Sequence, residues 1–247
     1  MVIVIGEEEL SLYILMSNPD FVKLKNDLMG QYASKYLNVA QSHLNTKPRL
    51  SSKDALFANT LYSMANCLDK YDDPIKLDAA LGAIDLQAIY SGVEKRETEN
   101  TNKQLGYDDF VVQELLYYFK NNFFKWVTKP ECPICQNTTH VENIGATTFP
   151  ASRPNLDQIS IIEKYKCTSC GSSIEFPRVN NPVSLLSTRS GRCGEWVNCF
   201  LLVLNALIGD ITRIRYIWNQ EDHVWCEYYS FNLKRWIHLD PCEAVFD

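Results

Sequence analysis

The chain has 247 residues, with 24 Lys+Arg against 30 Asp+Glu and a formal net charge of −6. That balance excludes a polyanion such as nucleic acid as the main ligand, and 46% hydrophobic with 22% charged residues excludes wholesale disorder. Nine cysteines are too few for a disulfide scaffold and, being odd in number, cannot all pair within the chain. Metal binding or catalysis in a reducing compartment is their expected use.

At roughly 150 residues per domain, the length fits one large domain or two modest ones. The start, MVIVI followed by Gly6 and three glutamates, lacks a basic leader. The greasiest stretch, 197–208, contains Asn198 and Asn205 and falls short of the ~20 residues that span a bilayer. No membrane insertion is expected.

Residues 1–109 read as a mostly helical N-terminal region, with apolar positions at three- and four-residue spacing over 8–16, 21–44, 52–68 and 75–90. Ser52 with Asp54, and Asp73-Pro74, are helix-start signals. The polar stretch 94–106 reads as a solvated linker. Residues 110–127 form an aromatic-rich amphipathic helix directed at the core and stopped by Lys129-Pro130. From 132 onward the texture turns to short strands punctuated by Pro and Gly, so the fold class is α+β over 110–247.

Two knuckles stand out. Cys132-Pro-Ile-Cys135 and Cys167-Thr-Ser-Cys170-Gly171 are each a pair of thiols three apart, so each can face one ion, and two such turns complete a tetrahedral shell. The 31 residues between them exceed the usual roughly 15–20, so a loop or hairpin, centred on 147–155, intervenes. One structural zinc ion, in a module at about 130–176, is the expected cofactor.

Five cysteines remain: Cys67, Cys193, Cys199, Cys226 and Cys242. Cys193 sits in GRCGEW just before an apolar helical run, where the helix dipole and Arg192 favour thiolate, and its flanking glycines admit close approach of a substrate. Cys199, deeper in the same helix, is a packing residue. Downstream, three short strands follow. Period two places His223, Trp225, Glu227 and Tyr229 on one face and Val224, Cys226 and Tyr228 on the other, while Trp236, His238 and Asp240 share a face. With 230–233 as a hairpin loop, Tyr229 opposes Lys234, Glu227 opposes Trp236, Trp225 opposes His238 and His223 opposes Asp240. With 220–222 as the preceding loop, Asn219 opposes His223 and Arg215 opposes Glu227. The reading is a cysteine acyl-transfer enzyme: Cys193 as nucleophile, His223 as base with His238 as its alternative, and Asp240 orienting the imidazole.

Pro177-Arg178, Asn181-Pro182, Leu185-Leu186, Thr188-Arg189, the GRCGEW run, Arg215-Tyr216-Ile217-Trp218, Asp222-His223-Val224-Trp225 and His238-Leu239-Asp240-Pro241-Cys242-Glu243 together resemble the cytoplasmic peptide:N-glycanase family. The likeness covers about 110–247 and includes both knuckles. It implies a transglutaminase-like, papain-like cysteine-hydrolase core with a structural zinc module. It also implies hydrolysis of the amide joining a high-mannose N-glycan to asparagine in misfolded glycoproteins, in the cytoplasm and also the nucleus, with a proteasome-associated ubiquitin-receptor shuttle factor as partner. Carried over residue by residue, it puts the triad at Cys193, His223 and Asp240, the glycan side of the cleft at Trp225 and Glu243, and support of the triad face at Arg215, Glu227 and Trp236. A non-catalytic binding module of the same fold is the alternative, and a general cysteine protease or transglutaminase the third reading. Three departures accompany the likeness: a long connection at 208–212, no family motif in 1–109, and an end seven residues after Asp240, which reads as a core cut short at its C-terminal side.

Overall fold

The computed structural model describes residues 51–65, 67–100, 104–219 and 223–247, together with scattered helical positions between 23 and 38. The helix expected at 8–16 lies outside the described residues, and the one at 21–44 is described only at those positions. The chain divides into two compact units, Met1–Ser63 and Met64–Asp247. The first holds most of helix α1 (Ser52–Ala65), whose start is capped at Ser51: its Oγ accepts from the Asp54 N–H at 3.2 Å.

In the second unit several helices begin where a short polar side chain takes up orphan N–H groups. Asp73 accepts from Ile75 and Lys76, with Pro74 in the first turn, and opens α2 (Pro74–Ala83). Asp85 accepts from Ala88 and opens α3 (Leu86–Glu99). The periodic run at 75–90 is therefore two helices, because the Asp85 cap restarts the chain after an extended Ile84. The expected linker at 94–106 is corrected too, since α3 continues to Glu99. Ile89 and Val93 are buried on its inner face, and Arg96 pairs with Glu114 of the next helix.

That next helix, α4 (Tyr107–Tyr118), gives way to a π turn (Phe119–Phe123) and then to strand β1 (Lys125–Trp126). The single helix expected over 110–127 is thus interrupted. The wider turn lets Phe119, Phe123 and Phe124 all enter the core, and Phe119 stacks on Phe124 at 5.3 Å and meets Phe200 edge-on at 5.3 Å. β1 then pairs in parallel with β5 (Ser190–Gly191), which follows the short helix α5 (Pro182–Thr188).

Helix α6 (Cys193–Ile208) is apolar almost all round and buried from Glu195 to Asn205, as a helix packed on every side must be. Its neighbours are α2, α4, α5 and strand β7 (His223–Ser230). Tyr71 meets both buried amides of the helix: Tyr71 OH donates to Asn198 Oδ1 at 2.6 Å and Asn205 Nδ2 donates to Tyr71 O at 2.9 Å, while Asn198 Nδ2 donates to Asn180 O at 2.6 Å and Asn205 Oδ1 is buried without a partner.

Two antiparallel sheets complete the unit. Strands β2 (Val141–Thr148), β3 (Ile161–Cys167) and β4 (Ser173–Pro177) are ordered 2-3-4. β2 and β3 form the hairpin excursion expected between the knuckles, β4 follows the second knuckle, and the sheet has a small core of its own: Cys132, Val141, Tyr165, Cys167 and Ile174. Strands β6 (Ile214–Asn219), β7 (His223–Ser230), β8 (Arg235–Asp240) and β9 (Val245–Phe246) are ordered 6-7-8-9 and join the main core through Ile214, Cys226, Tyr228, Ile237 and Leu239. The expected faces of β7 are those observed, and Asn219 opposes His223 and Arg215 opposes Glu227. The register of β7 with β8 differs by two residues: Ser230 pairs with Arg235, Tyr229 with Trp236 and Glu227 with His238. Ser230 ends the strand rather than opening the loop, because its buried Oγ accepts the Leu233 N–H at 3.0 Å and so closes a turn over 231–234, with Lys234 at φ 54°. An even shift leaves the faces unchanged. Among the described residues no helix is long and apolar enough to cross a membrane.

Phe119 holds the aromatic cluster together, so Phe119→Ala is expected to lower unfolding free energy by about 3–5 kcal/mol, read as a reduced urea midpoint.

Candidate active site and metal centre

The nucleophile candidate is placed by the burial of α6. Cys193 is the first residue of that helix and half-buried, with Arg192 extended before it as the N-cap residue. The N3 position is Glu195, and the Arg192 N–H donates to its Oε2 at 3.0 Å. Gly191 is required by packing: a Cβ there would meet the Glu195 Cβ at 2.4 Å. The expected role of the flanking glycines in substrate approach gives way, at Gly191, to this contact.

A cleft of about 410 Å³ opens at this helix end, lined by Trp126, Arg178, Arg192, Cys193, His223, Asp240, Cys242 and Glu243. His223, at the start of β7, and Asp240, at the end of β8, reach it from the outward face of the sheet. Under the observed register Asp240 lies diagonally from His223 rather than opposite it. Asp240 Oδ1 accepts the Cys242 N–H at 2.9 Å, which leaves Oδ2 facing the imidazole, 3.7 Å from His223 Nε2. That is an ion-pair distance when the ring is protonated and longer than a hydrogen bond.

The other cysteines are poor competitors. Burial pushes up the thiols of Cys199 and Cys226, and burial together with the Asp240 carboxylate does so for Cys242. Burial also raises Cys67.

Trp225 does not line the cleft; its ring stacks behind His223 at 5.8 Å and meets His238 at 5.7 Å, and its Nε1 is buried without a partner. Glu243 does line the cleft and pairs with Lys120 at 2.8 Å. Arg215 lies 3.5 Å from the centre of the Trp236 ring and pairs with Glu227 at 3.5 Å, and Trp236 meets Tyr229 edge-on at 5.4 Å. These side chains form a continuous layer on the outward face of β6–β8.

Sequence reasoning missed the ionic lattice beside Cys193. Arg178 grips Glu195 with two bonds, Nε to Oε1 at 2.6 Å and Nη2 to Oε2 at 2.9 Å, and reaches Glu163 Oε1 with Nη1 at 3.0 Å. Arg192 grips Glu163 with Nη1 and Nη2, both at 2.9 Å, and donates to the Tyr165 hydroxyl at 2.7 Å and to Val127 O at 3.1 Å. Arg192 is therefore paired within the lattice and is not a free charge beside the thiol. An acid three residues past a helix start was a usable signal for Glu195; nothing local pointed to Glu163, 29 residues away. Burial pushes the Glu163 carboxyl up, but hydrogen bonds from Arg192, Tyr165 and Arg178 outweigh it and hold it below its ordinary value.

The four knuckle cysteines converge: their sulfurs lie within 4.8 Å of one another, with Cys132 to Cys170 at 3.6 Å and Cys135 to Cys167 at 3.9 Å. A tetrahedral zinc ion with bonds of 2.3 Å separates its sulfurs by about 3.8 Å, so both the spacing and the soft donor set fit zinc. Gly171, at φ 75°, makes the turn that the second knuckle requires. Hydrogen bonding with Cys170 pushes the Cys135 thiol up to about 12, whereas the backbone amides of Cys170 and Ser169 draw Cys167 down to about 7. A thiolate is thus available to a metal near neutral pH.

Two outcomes are expected. Purified protein carries about one zinc per chain, and Cys132→Ser brings this close to zero, as read by elemental mass spectrometry. Because the folded Glu163 carboxyl is the stronger acid, its stabilisation is complete above the unfolded value near 4.3 and is lost as pH falls through the lower folded value. Wild type should therefore exceed Glu163→Gln in urea midpoint at pH 7, and the gap should narrow progressively as pH is lowered through the folded carboxyl's titration.

Comparison with known proteins agrees with this architecture. The transglutaminase-like superfamily matches residues 145–241. A Debaryomyces hansenii protein named peptide-N(4)-(N-acetyl-beta-glucosaminyl)asparagine amidase is 55% identical over 204 residues, covering 81% of this chain and 54% of the relative. Proteins of the same name from Candida albicans and Saccharomyces cerevisiae are 49% identical (94% of this chain, 62% of the relative) and 45% identical (72% and 49%). The chain therefore spans about half to three-fifths of the length of these curated relatives. The mixed helix-and-sheet fold and the four-cysteine cluster thus stand in a chain that is similar, over most of its own length, to proteins bearing that one amidase name and that matches the transglutaminase-like superfamily at 145–241.

Proposed function

We propose that the cleft at Cys193 hydrolyses the amide joining an N-glycan to asparagine in misfolded glycoproteins, releasing the glycan and leaving aspartate. The observation that carries this reading is the convergence of Cys193, His223 and Asp240 on one cleft in a chain whose relatives bear the amidase name. His223 takes the thiol proton, and the Cys193 sulfur attacks the side-chain carbonyl of the glycosylated asparagine. The Cys193 N–H, in the first turn of α6 where helix donors lack intrahelical acceptors, is one donor for the oxyanion. The glycosylamine nitrogen leaves with the proton from His223, and a thioester remains on Cys193. Water then attacks the thioester with His223 again as base, freeing thiol and aspartate. Asp240 Oδ2, 3.7 Å from Nε2, stabilises the imidazolium that forms once the ring has accepted the thiol proton.

Glu243 and Trp126 line the glycan side of the cleft, while Trp225 backs the base, and Arg215, Glu227 and Trp236 brace the sheet beneath it. Cys132, Cys135, Cys167 and Cys170 would hold a zinc ion, which fixes the hairpin structurally and leaves no open coordination position for chemistry. Nine cysteines outside any disulfide and the resemblance of the motifs support a reducing cytoplasmic setting with access to the nucleus, and a ubiquitin-receptor shuttle as partner.

The test is incubation with a denatured high-mannose glycoprotein, with free glycan and new aspartate as readout. Release is expected from the wild-type chain and is expected to fall by on the order of 10⁴-fold in Cys193→Ala and Asp240→Asn. Full release by Cys193→Ala would contradict the proposal.

A further inference from the structure

The metal hairpin and the Cys193 helix belong to different cores, yet one strand face links them. Cys167, Tyr165 and Glu163 alternate along β3 and so share a face. Cys167 is a member of the metal cluster, Tyr165 is buried in the hairpin's own core, and Glu163 ends the row with both carboxylate oxygens engaged. Its Oε1 accepts from Arg178 at 3.0 Å and Arg192 at 2.9 Å, and its Oε2 accepts from Arg192 at 2.9 Å and from the Tyr165 hydroxyl at 2.7 Å. Arg192 immediately precedes Cys193, and Arg178 holds Glu195, three residues from the helix start. Both turns that set the height and direction of the thiol are therefore clamped by one carboxylate on the metal-bearing strand. Among the described residues no apolar cluster bridges the two cores; hydrogen bonds from the hairpin loop to Asn180, Asn181 and Ser184 hold the hairpin to α5, and these charge-assisted bonds are its tie to the start of α6.

We infer that Glu163, with Tyr165, is a positioning residue for Cys193 and couples occupancy of the four-cysteine site to the reactivity of that thiol. The inference rests on the proposed role of Cys193 as nucleophile. Loss of the clamp lets the helix start shift relative to His223, and displacements of about 1 Å at a reacting group cost up to about 100-fold in rate.

The experiment is residue-resolved alkylation with iodoacetamide, followed by peptide mass spectrometry, on zinc-loaded and chelator-treated protein. In zinc-loaded Glu163→Gln, Cys193 is expected to react at least about tenfold more slowly than in wild type, while buried Cys199 and Cys226 stay protected, which a general loosening of the fold would not allow. Chelation of wild type is expected to slow Cys193 by a similar factor, and chelation of Glu163→Gln to add little, the non-additivity of a shared path. Tyr165→Phe, which removes one hydroxyl and no charge, is expected to slow Cys193 by a few-fold and serves if the Gln variant does not fold. Equal Cys193 rates in wild type and both variants, or effects of mutation and chelation that simply multiply, would overturn the coupling alone. A wild-type Cys193 no faster than Cys67 would overturn both the coupling and the nucleophile assignment.

Discussion

The burial of α6 is the constraint on which the rest of the structure depends. From Glu195 to Asn205 the helix is closed in by α2, α4, α5 and β7, so its axis cannot tilt without opening the main core. Its first residue, by contrast, stands at a cleft. A rigid rod ending in a thiol is a direct way to hold a nucleophile in place, because the precision of the site is inherited from the packing of residues that take no part in the chemistry. The aromatic cluster around Phe119 and the bonds that Asn198 and Asn205 make with Tyr71 serve the same end.

The proposed base and its carboxylate partner are held by a different device. His223 and Asp240 sit at neighbouring strand ends on the outward face of a sheet whose inward face is locked by Cys226, Tyr228, Ile237 and Leu239. Their separation is set by backbone register and not by core packing, and aromatic rings stacked between histidines and an arginine keep that outward face from fraying. Helix end and sheet edge therefore meet at the cleft, and the Glu163–Arg192–Arg178–Glu195 lattice ties the helix end to the metal hairpin. A partly buried lattice of two guanidinium groups and two carboxylates is electrically balanced, which limits its own desolvation cost.

What could be read from residue order was what depends on short range. The knuckles declare themselves because two thiols three apart need only a tight turn, and the faces of β7 follow from period two alone. Asp73-Pro74 marks a helix start for the same local reason. The failures are equally physical. The π turn at Phe119 exists because three aromatic rings compete for one core, which no window of sequence records. The register of β7 with β8 turned on whether the Ser230 hydroxyl would close the loop or lie within it. The polar end of α3 stays helical because Arg96 finds Glu114, 18 residues on. Glu163 was invisible as a functional group because its partners come from other elements of the chain.

The central claim is that a thioester forms on Cys193 with the former asparagine side chain. Rapid acid quench of the protein mixed with an N-glycopeptide, followed by peptide mapping, tests it most directly. The account requires an adduct on the Cys193 peptide whose mass is that of the glycopeptide less the glycosylamine, appearing before free aspartyl peptide. Turnover with the adduct on another cysteine, or with none on Cys193 at any time, would contradict it.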